Sequence, residues 1–239
     1  MSDEPVVAIL CGGRGTRLQE HVRSIPKPLV EVGGEPVVGH VVRIYAAQGL
    51  TRFLLLTGYL GDHVAAYAER ADWPAGIVVE CLDTGEDTPT GGRLARAADR
   101  LGEGTSCVTY ADGVADVDVG ALLGVHRAQG RLATVTVVRP PLPFGVVELD
   151  DEGRVSDFHE KPISEHWVNG GFFCFEPGAL GFLSEDSVLE REPLERLAAA
   201  GELSAYRHEG FWECMDTHKD AVTLNDLWDR GRAPWAVWR

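Results

Sequence analysis

Lysine is nearly absent from this chain of 239 residues, in which 22 basic residues face 37 acidic ones. The lysines are Lys27, Lys161 and Lys219, so every other basic residue is an arginine. Lys27 and Lys161 lie in the similar contexts IPKPLVEV and HEKPIS. A compact ammonium and a planar guanidinium are not interchangeable, so we interpret both lysines as functional. The alternative is chance survival in a sequence that favours arginine.

Other missing features exclude whole classes of protein. A formal charge of −15 disfavours nucleic acid and anionic membrane as main partners, because both would repel the chain. There is no signal-like segment and no apolar run long enough to span a membrane, so we expect a cytoplasmic protein. The cysteines lack CxxC and other metal-ligand spacings, which is typical of reduced cytosolic thiols. They are Cys11, Cys81, Cys107, Cys174 and Cys214.

Short apolar runs alternate with helical patterns through the first two-thirds of the chain. The runs are rich in β-branched residues and predict strands at 6–10, 52–57, 76–82, 106–110 and 132–138. The helical patterns lie at 36–49, 60–71, 91–102 and 117–130. Strands that are apolar throughout predict a mostly parallel sheet covered by helices on both faces, which is an α/β fold.

The pattern changes after residue 139. Residues 144–162 predict a hairpin that turns at DDEG, and residues 167–177 predict an aromatic strand. Helical patterns follow at 188–200 and 217–230. No linker separates the two parts, so we expect one domain, residues 1–239, in which the second part adds a small lobe over the sheet edge.

Glycine-rich or charged clusters follow three of the predicted strands. They are Gly12–Arg17, the stretch from Asp83 to Arg93, and Asp112. Because ligands of open α/β sheets bind at the carboxyl ends of the strands, these clusters predict one site. Glycines after a strand also let backbone N–H groups approach a phosphate chain.

Two familiar phosphate-binding motifs fit the first cluster poorly. A Walker loop needs a lysine before its final Ser or Thr, whereas here Thr16 is followed by Arg17 and no lysine is near. A GxGxxG fingerprint would begin at Gly13 and Gly15 but meets Leu18 at its third glycine.

GGRGTRL followed by PKPLVEVGGEPVV instead resembles the signature of the sugar-1-phosphate nucleotidylyltransferases. Further matches follow in the same order along essentially the whole chain, and they resemble the glucose-1-phosphate cytidylyltransferase branch. They are DTGEDTPTGGRLAR, TYADGVADVDV, FHEKP, VNGGFF, EPLERLAAAGEL, GFWECMDT and LWDRGRAPW.

The resemblance implies a three-layer, Rossmann-like nucleotidyltransferase fold with a mixed, mostly parallel sheet and a small added β/α lobe. It also implies a homo-oligomer that transfers a cytidylyl group from CTP to a sugar 1-phosphate, foremost α-D-glucose 1-phosphate. A sugar-phosphate oxygen would attack the α-phosphorus in line, with Mg²⁺ as cofactor and pyrophosphate as the leaving group. Such chemistry depends on positioning and on positive charge.

By the same resemblance, catalysis falls to Arg17, Lys27 and Asp112. Nucleotide binding falls to the phosphate loop, the base-covering segment and the strand before Asp112. These residues are Cys11, Gly12, Gly13, Gly15, Thr16, Arg17, Lys27, Thr90, Gly91, Gly92, Tyr110 and Ala111. The base-covering segment is alternatively a mobile loop with no base contact, and Ala111 stands where the family has glycine.

Asp112 and Asp216 match the metal carboxylates of the family, although each read alone is more typical of a cap or turn. The sugar phosphate is assigned to Gly145, Glu160, Lys161, Asn169 and Gly170. An exposed charge pair is the alternative for Glu160 and Lys161.

Three other functions stay open at this stage. The chemistry could act on another acceptor or nucleotide, because the chain is shorter than the family around residues 70–83 and near 163–167. A non-catalytic sugar-nucleotide sensor would be expected to lose Lys27, Arg17 or Asp112, and all three are present. A glycosyltransferase would need a DxD motif, and the nearest match is DVD at 116–118.

Overall fold

The computed structural model of this protein describes residues 4–14 and 25–239. Its strands, in chain order, are β1 (Val6–Leu10), β2 (Glu31–Val32), β3 (Glu35–Pro36), β4 (Arg52–Thr57), β5 (Val78–Asp83), β6 (Ser106–Tyr110), β7 (Gly113–Ala115), β8 (Ala133–Val138), β9 (Val146–Leu149), β10 (Val155–His159), β11 (Val168–Phe175), β12 (Leu203–Arg207) and β13 (Trp212–Cys214).

The α-helices of the described residues are α1 (Val37–Ala46), α2 (Gly61–Arg70), α3 (Thr90–Arg96), α4 (Ala98–Leu101), α5 (Val119–Gln129), α6 (Glu192–Ala199) and α7 (His218–Asp229). The predicted helix at 91–102 is therefore two helices, with a break at Ala97. Asp118 caps α5 by accepting a hydrogen bond from the Ala121 N–H. None of the helices in this part of the chain is both long and apolar enough to cross a membrane.

Seven of the described strands form one sheet in the order β12-β8-β11-β6-β1-β4-β5. Strand β11 runs antiparallel to both of its neighbours, and the other neighbouring strands are parallel. The predicted mixed, mostly parallel sheet is thus confirmed. Its core lies on both faces, because alternate residues of β1 pack into different clusters: Val7 and Ile9 on one side, Ala8 and Leu10 on the other.

The second part of the chain differs from the expected lobe. Strand β11 lies inside the sheet between β8 and β6, and β12 forms one edge. The reason is the run from Gly170 to Phe175, which is buried on both faces and therefore suits an interior strand. The hairpin of β9 and β10 stands apart from the sheet, and β13 pairs with β7 outside it.

The strand directions bring several chain segments to one edge of the sheet. Strands β1, β4, β5 and β6 are parallel, so the residues that follow them lie at a common carboxyl edge. Strands β8 and β12 share that direction, because β8 and β6 are both antiparallel to β11. This edge carries the candidate site.

Candidate functional site

The segments that follow β1, β5 and β6 meet in a cleft of about 320 Å³. The predicted site residues on its lining are Cys11, Gly12, Gly13, Lys27, Thr90, Tyr110, Ala111 and Asp112. These residues, predicted from the sequence, therefore line one cleft at the carboxyl edge of the sheet. Gly15, Thr16 and Arg17, the rest of the predicted phosphate loop, lie outside the described residues.

A lysine and two carboxylates form the charged centre of the site. The Lys27 ammonium makes ion pairs with Asp112 and with Asp216, the second at 2.5 Å. The Lys27 side chain is 14% exposed, against 19% for Asp112 and 44% for Asp216. Burial lowers the pKa of Lys27, but the two carboxylates outweigh it and hold the pKa above its ordinary value. Lys27 therefore stays cationic at neutral pH.

A short strand pair brings the two carboxylates together. Strands β7 and β13 pair antiparallel with Cys214 opposite Gly113, and the Met215 N–H donates to the Asp112 carbonyl at 3.0 Å. This register sets Asp216 beside Asp112, although Asp112 follows a strand of the main sheet and Asp216 precedes α7. The strand pair thereby brings both carboxylates within reach of Lys27.

The donor set at this centre fits a hard divalent cation. Ligand atoms of Asp112, Asp216 and Cys214 lie within 4.8 Å of one another. Burial, with the two carboxylates next in effect, raises the pKa of the Cys214 thiol, so the sulfur stays protonated and is a poor ligand. Two carboxylates that already attract a cation remain as donors, and oxygen is the donor Mg²⁺ prefers.

Arg93 is a site residue that the sequence reasoning missed. Its guanidinium is 3% exposed and donates to the carbonyl oxygens of Thr57, Gly85 and Gly12 at 2.8, 2.8 and 2.9 Å. It thereby ties the phosphate loop after β1 to the segment after β5. The signal that could have found it is its position next to Leu94, a buried residue of α3. The sequence analysis considered only the glycines of that helix.

Replacing Arg93 with Gln is expected to lower the free energy of unfolding by about 3 kcal/mol, because buried carbonyl oxygens lose their charged donor. Urea unfolding measures the effect. Arg100→Gln is the matched control, since Arg100 is 45% exposed and pairs with Glu80 at 3.0 Å. The control is expected to cost less than about 1 kcal/mol. Equal losses in the two variants would contradict the bridging role of Arg93.

Arg14 also joins the phosphate loop to the segment after β5. It makes ion pairs with Glu86 and Asp87, both at 2.8 Å, and its guanidinium lies 5.0 Å from the centre of the Tyr59 ring. The side chain is half exposed, so these pairs add little stability in water. Their effect is to hold the segment close to the cleft.

A hydroxyl and carboxylate network closes the other side of the cleft. Tyr110 and Thr90 donate to the two oxygens of Glu190, at 2.6 and 2.7 Å, and Asn169 donates to the Tyr110 hydroxyl at 3.3 Å. Burial and then Glu190 raise the pKa of Tyr110, which keeps its hydroxyl protonated. No sequence motif pointed to Glu190. The network connects Asn169, predicted for the acceptor, to Tyr110, predicted for the nucleotide.

Gly91 and Gly92 are not on the lining of the cleft, and their contact with the base stays a prediction. A Cβ on Gly91 would come within 2.7 Å of the Ser187 carbonyl, and one on Gly92 within 2.0 Å of the Glu185 carbonyl. The Gly92 N–H already donates to the Ser187 carbonyl at 3.1 Å. These glycines let α3 pack closely against residues 185–187. Thr88, Pro89 and Thr90 line the cleft instead.

Gly12 and Cys11 are constrained by packing as well as by position. A Cβ on Gly12 would come within 2.1 Å of the Arg93 guanidinium, so only glycine fits beside that side chain. Burial raises the pKa of the Cys11 thiol well above its ordinary value, so Cys11 acts as a small uncharged residue. Gly13 is exposed and has open space around it.

The hairpin places Glu160 and Lys161 just after β10 as an exposed charge pair at 3.6 Å. This is the alternative that the sequence left open for them, and neither lines the cleft. Lys161 nevertheless has a φ of +46°, a conformation that costs a non-glycine residue energy. Gly145 allows the hairpin to close, because a Cβ there would lie 2.6 Å from the Phe158 ring.

Asn169 is exposed and lies beside the cleft, and the buried part of β11 begins at Gly170. The Asn169 side-chain oxygen accepts the Gly171 N–H at 2.9 Å, and the Gly170 carbonyl accepts the Trp212 indole N–H at 2.7 Å. Trp212 is therefore hydrogen-bonded to one of the residues predicted for the acceptor.

The chain matches known proteins along nearly its whole length. The model of the nucleotidyl transferase family matches residues 6–230. The glucose-1-phosphate cytidylyltransferases of Salmonella typhi and Salmonella typhimurium are each 38% identical to it over 253 residues, covering 96% of this chain and 98% of theirs. The crystal structure of HddC from Yersinia pseudotuberculosis superposes with a TM-score of 0.75 at 20% identity, covering 94% of this chain and 99% of that one. The chain belongs to the nucleotidyl transferase family.

Proposed function

We propose that this protein transfers a cytidylyl group from CTP to a sugar 1-phosphate, releasing pyrophosphate and forming a CDP-sugar. The observation that carries the proposal is the Lys27 ammonium between Asp112 and Asp216, beside a cleft that the phosphate loop also lines. Cytidylyl transfer is the activity named for relatives that are 38% identical across the chain. Their name also makes α-D-glucose 1-phosphate the reference acceptor.

The roles of the residues follow from where charge develops in the reaction. The α-phosphate gains negative charge as the acceptor oxygen attacks and pyrophosphate leaves. Lys27 supplies a fixed positive charge there, and the backbone of Gly12 and Gly13 offers N–H groups to the triphosphate. Gly15, Thr16 and Arg17 complete this grip by the resemblance of their motif. Arg17 adds the second cation.

The family uses a divalent metal, and we propose Mg²⁺ held by Asp112 and Asp216. Besides the Cys214 sulfur, the donor set consists of carboxylate oxygens, which fit a hard cation. Bound there, the ion would neutralise phosphate oxygens of the nucleotide. Lys27, which pairs with both carboxylates, would hold its ammonium beside the same site for the α-phosphate.

The acceptor is proposed to bind between the hairpin and the start of β11. Lys161 is the cation for the sugar phosphate. Glu160 accepts hydrogen bonds from hydroxyls of the sugar, and Asn169 can accept from them or donate to them. Gly145 and Gly170 keep the walls of this region close to the backbone. The positive φ of Lys161 supports a positioned lysine, since such a conformation persists where the surroundings or the function require it.

The direct test is pyrophosphate release by purified protein with Mg²⁺ and α-D-glucose 1-phosphate, offering CTP, UTP, dTTP, GTP and ATP separately. Release with CTP far above the other four is the expected result. Equal release with several nucleotides would leave the chemistry standing but remove the cytidylyl assignment. No release with any nucleotide and a panel of sugar phosphates would overturn the proposed function.

We also propose that the protein is a homo-oligomer. The hairpin exposes Phe144, Leu149 and Phe158, with relative exposures of 77, 62 and 59%. A patch of that kind on a monomer is unusual and is typical of a protein–protein contact. Sedimentation equilibrium is expected to give a mass that is a multiple of 25.9 kDa. A monomer at micromolar concentration would contradict this proposal.

A further inference from the structure

A second cavity of about 400 Å³ lies at the carboxyl edge beyond β8, and it is lined by other residues than the cleft. Arg139, Trp167 and Trp212 form part of its wall. Nothing in the proposed cytidylyl transfer uses Arg139 or Trp167. The cavity therefore needs its own explanation.

Two arginines converge on the same indole ring at this cavity. The Arg139 guanidinium lies 4.7 Å from the centre of the Trp167 ring, and that of Arg207 lies 5.6 Å away. The strand register produces this arrangement. Arg207 of β12 is opposite Val137 of β8, and Val168 of β11 is opposite Val138, so all three side chains lie on one face where these strands meet.

The two guanidiniums are poorly neutralised by the protein. The closest carboxylate to Arg139 is that of Glu209, at 3.9 Å and 74% exposed. Within residues 4–14 and 25–239, Arg207 makes no ion pair with a carboxylate. Glu213, also on the lining, accepts the Cys214 N–H at 3.3 Å. The chain has a formal charge of −15, yet two arginines lie over the Trp167 ring and only Arg139 has a carboxylate partner, the distant Glu209. This arrangement is suited to binding an anion.

The cavity adjoins the proposed acceptor site. Trp212 on its wall donates its indole N–H to the Gly170 carbonyl at 2.7 Å. Trp212 and Glu213 belong to β13, which leads within two residues of its end to Asp216. A group bound in the cavity would therefore extend from the acceptor side of the site and not from the nucleotide side.

We infer that Arg139 and Arg207 bind a second acidic group of the acceptor, a carboxylate or a second phosphate on the sugar, held over the Trp167 ring. The acceptor class is then an acidic sugar 1-phosphate. Guanidinium groups match the planar or forked oxygens of such groups bidentately, and stacking on the indole fixes their orientation. A hexose 1-phosphate with no other acidic group carries only the phosphate that reacts. Arg139 and Arg207 would then have no group to bind.

The inference rests on the proposed function, and the test separates the two. Pyrophosphate release from CTP is measured with α-D-glucose 1-phosphate, α-D-glucuronic acid 1-phosphate and α-D-glucose 1,6-bisphosphate. The wild-type protein is expected to favour one acidic acceptor in kcat/KM by about tenfold or more, the scale of a charge-assisted hydrogen bond. Whichever acidic acceptor is favoured identifies the group as carboxylate or phosphate.

Arg139→Gln and Arg207→Gln are expected to abolish that preference through KM while leaving glucose 1-phosphate turnover unchanged. Arg230→Gln is the matched control, because Arg230, just after α7, is 68% exposed and pairs with Asp226 at 3.6 Å. It is expected to change nothing. The inference is overturned if glucose 1-phosphate is the best acceptor, or if the arginine variants weaken all three acceptors equally, which would place both arginines on the reacting phosphate.

Calorimetric titration of the same acceptors provides a readout that does not need turnover. If no acceptor supports pyrophosphate release, the proposed function fails, and binding still decides the inference. An acidic sugar phosphate that binds the wild type about tenfold more tightly than Arg139→Gln supports it. Equal affinities contradict it.

Discussion

Lys27→Ala is expected to lower kcat for CDP-sugar formation by about 10²- to 10³-fold, the range seen when one preorganised transition-state donor is removed. The ammonium is the positive charge that the described site holds between Asp112 and Asp216. Its loss removes the ammonium that pairs with both carboxylates, so metal-free protein is also expected to be less stable. Single-turnover measurement of pyrophosphate release with saturating CTP isolates the chemical step.

Lys27→Arg provides the sharper comparison for the same position. A guanidinium is larger and planar, and the lysine it replaces is 14% exposed between two carboxylates. We expect Arg at this position to restore the charge and the stability but not the turnover. Full recovery of kcat would contradict the interpretation that the scarce lysines of this chain are there for their compact ammonium.

Asp112→Asn is expected to remove metal-dependent turnover, with a loss of at least about 10³-fold in kcat at millimolar Mg²⁺. Asp112 is the more buried of the two carboxylates and follows a strand of the main sheet, so solvent cannot replace it as a ligand. A Mg²⁺ titration at fixed CTP measures both the plateau and the midpoint. Asp216→Asn is expected to shift the midpoint more than the plateau, because Asp216 is 44% exposed.

Asp118→Asn is the matched control for the carboxylate variants. Asp118 belongs to the DVD sequence that a glycosyltransferase would use for its metal, but here it caps α5. Asparagine caps helices about as well as aspartate, so activity and stability are expected to stay near wild type. A loss of metal dependence in Asp118→Asn, with Asp112→Asn active, would reverse the assignment of the metal site.

The sequence predicted the parts of this site that depend on strand ends. The apolar runs predicted the bounds of β1, β4 and β6 to within a residue. Because ligands bind at the carboxyl edge of such a sheet, the residues that follow β1 and β6 could be predicted as site residues. Asp112 could be placed in this way, because it lies two residues after the end of β6, a five-residue strand that is almost entirely buried. Asp216 could not, since β13 has three half-buried residues and no strand pattern of its own; it was found through its motif.

The parts that were missed depend on contacts between distant segments. The sequence could not show that Gly91 and Gly92 pack against the backbone of residues 185–187, which requires glycine whether or not they also contact the base. Arg93 and Glu190 act through partners that are far away in the chain, as in the bond from Arg93 to Gly12 across 81 residues. Periodicity and motifs report local conformation and cannot show which remote segment supplies a partner.

The pairing of β7 with β13 has a consequence for biosynthesis. Lys27 and Asp216 are separated by 189 residues, yet they meet at one cation site. The amino-terminal strands can collapse early, but the charged centre is incomplete until β13 and the start of α7 have been made and docked. A nascent chain without β13 would therefore hold the Lys27–Asp112 pair alone, and the second carboxylate, Asp216, would join it only as synthesis nears its end. Activity in this protein reports that the whole chain has folded.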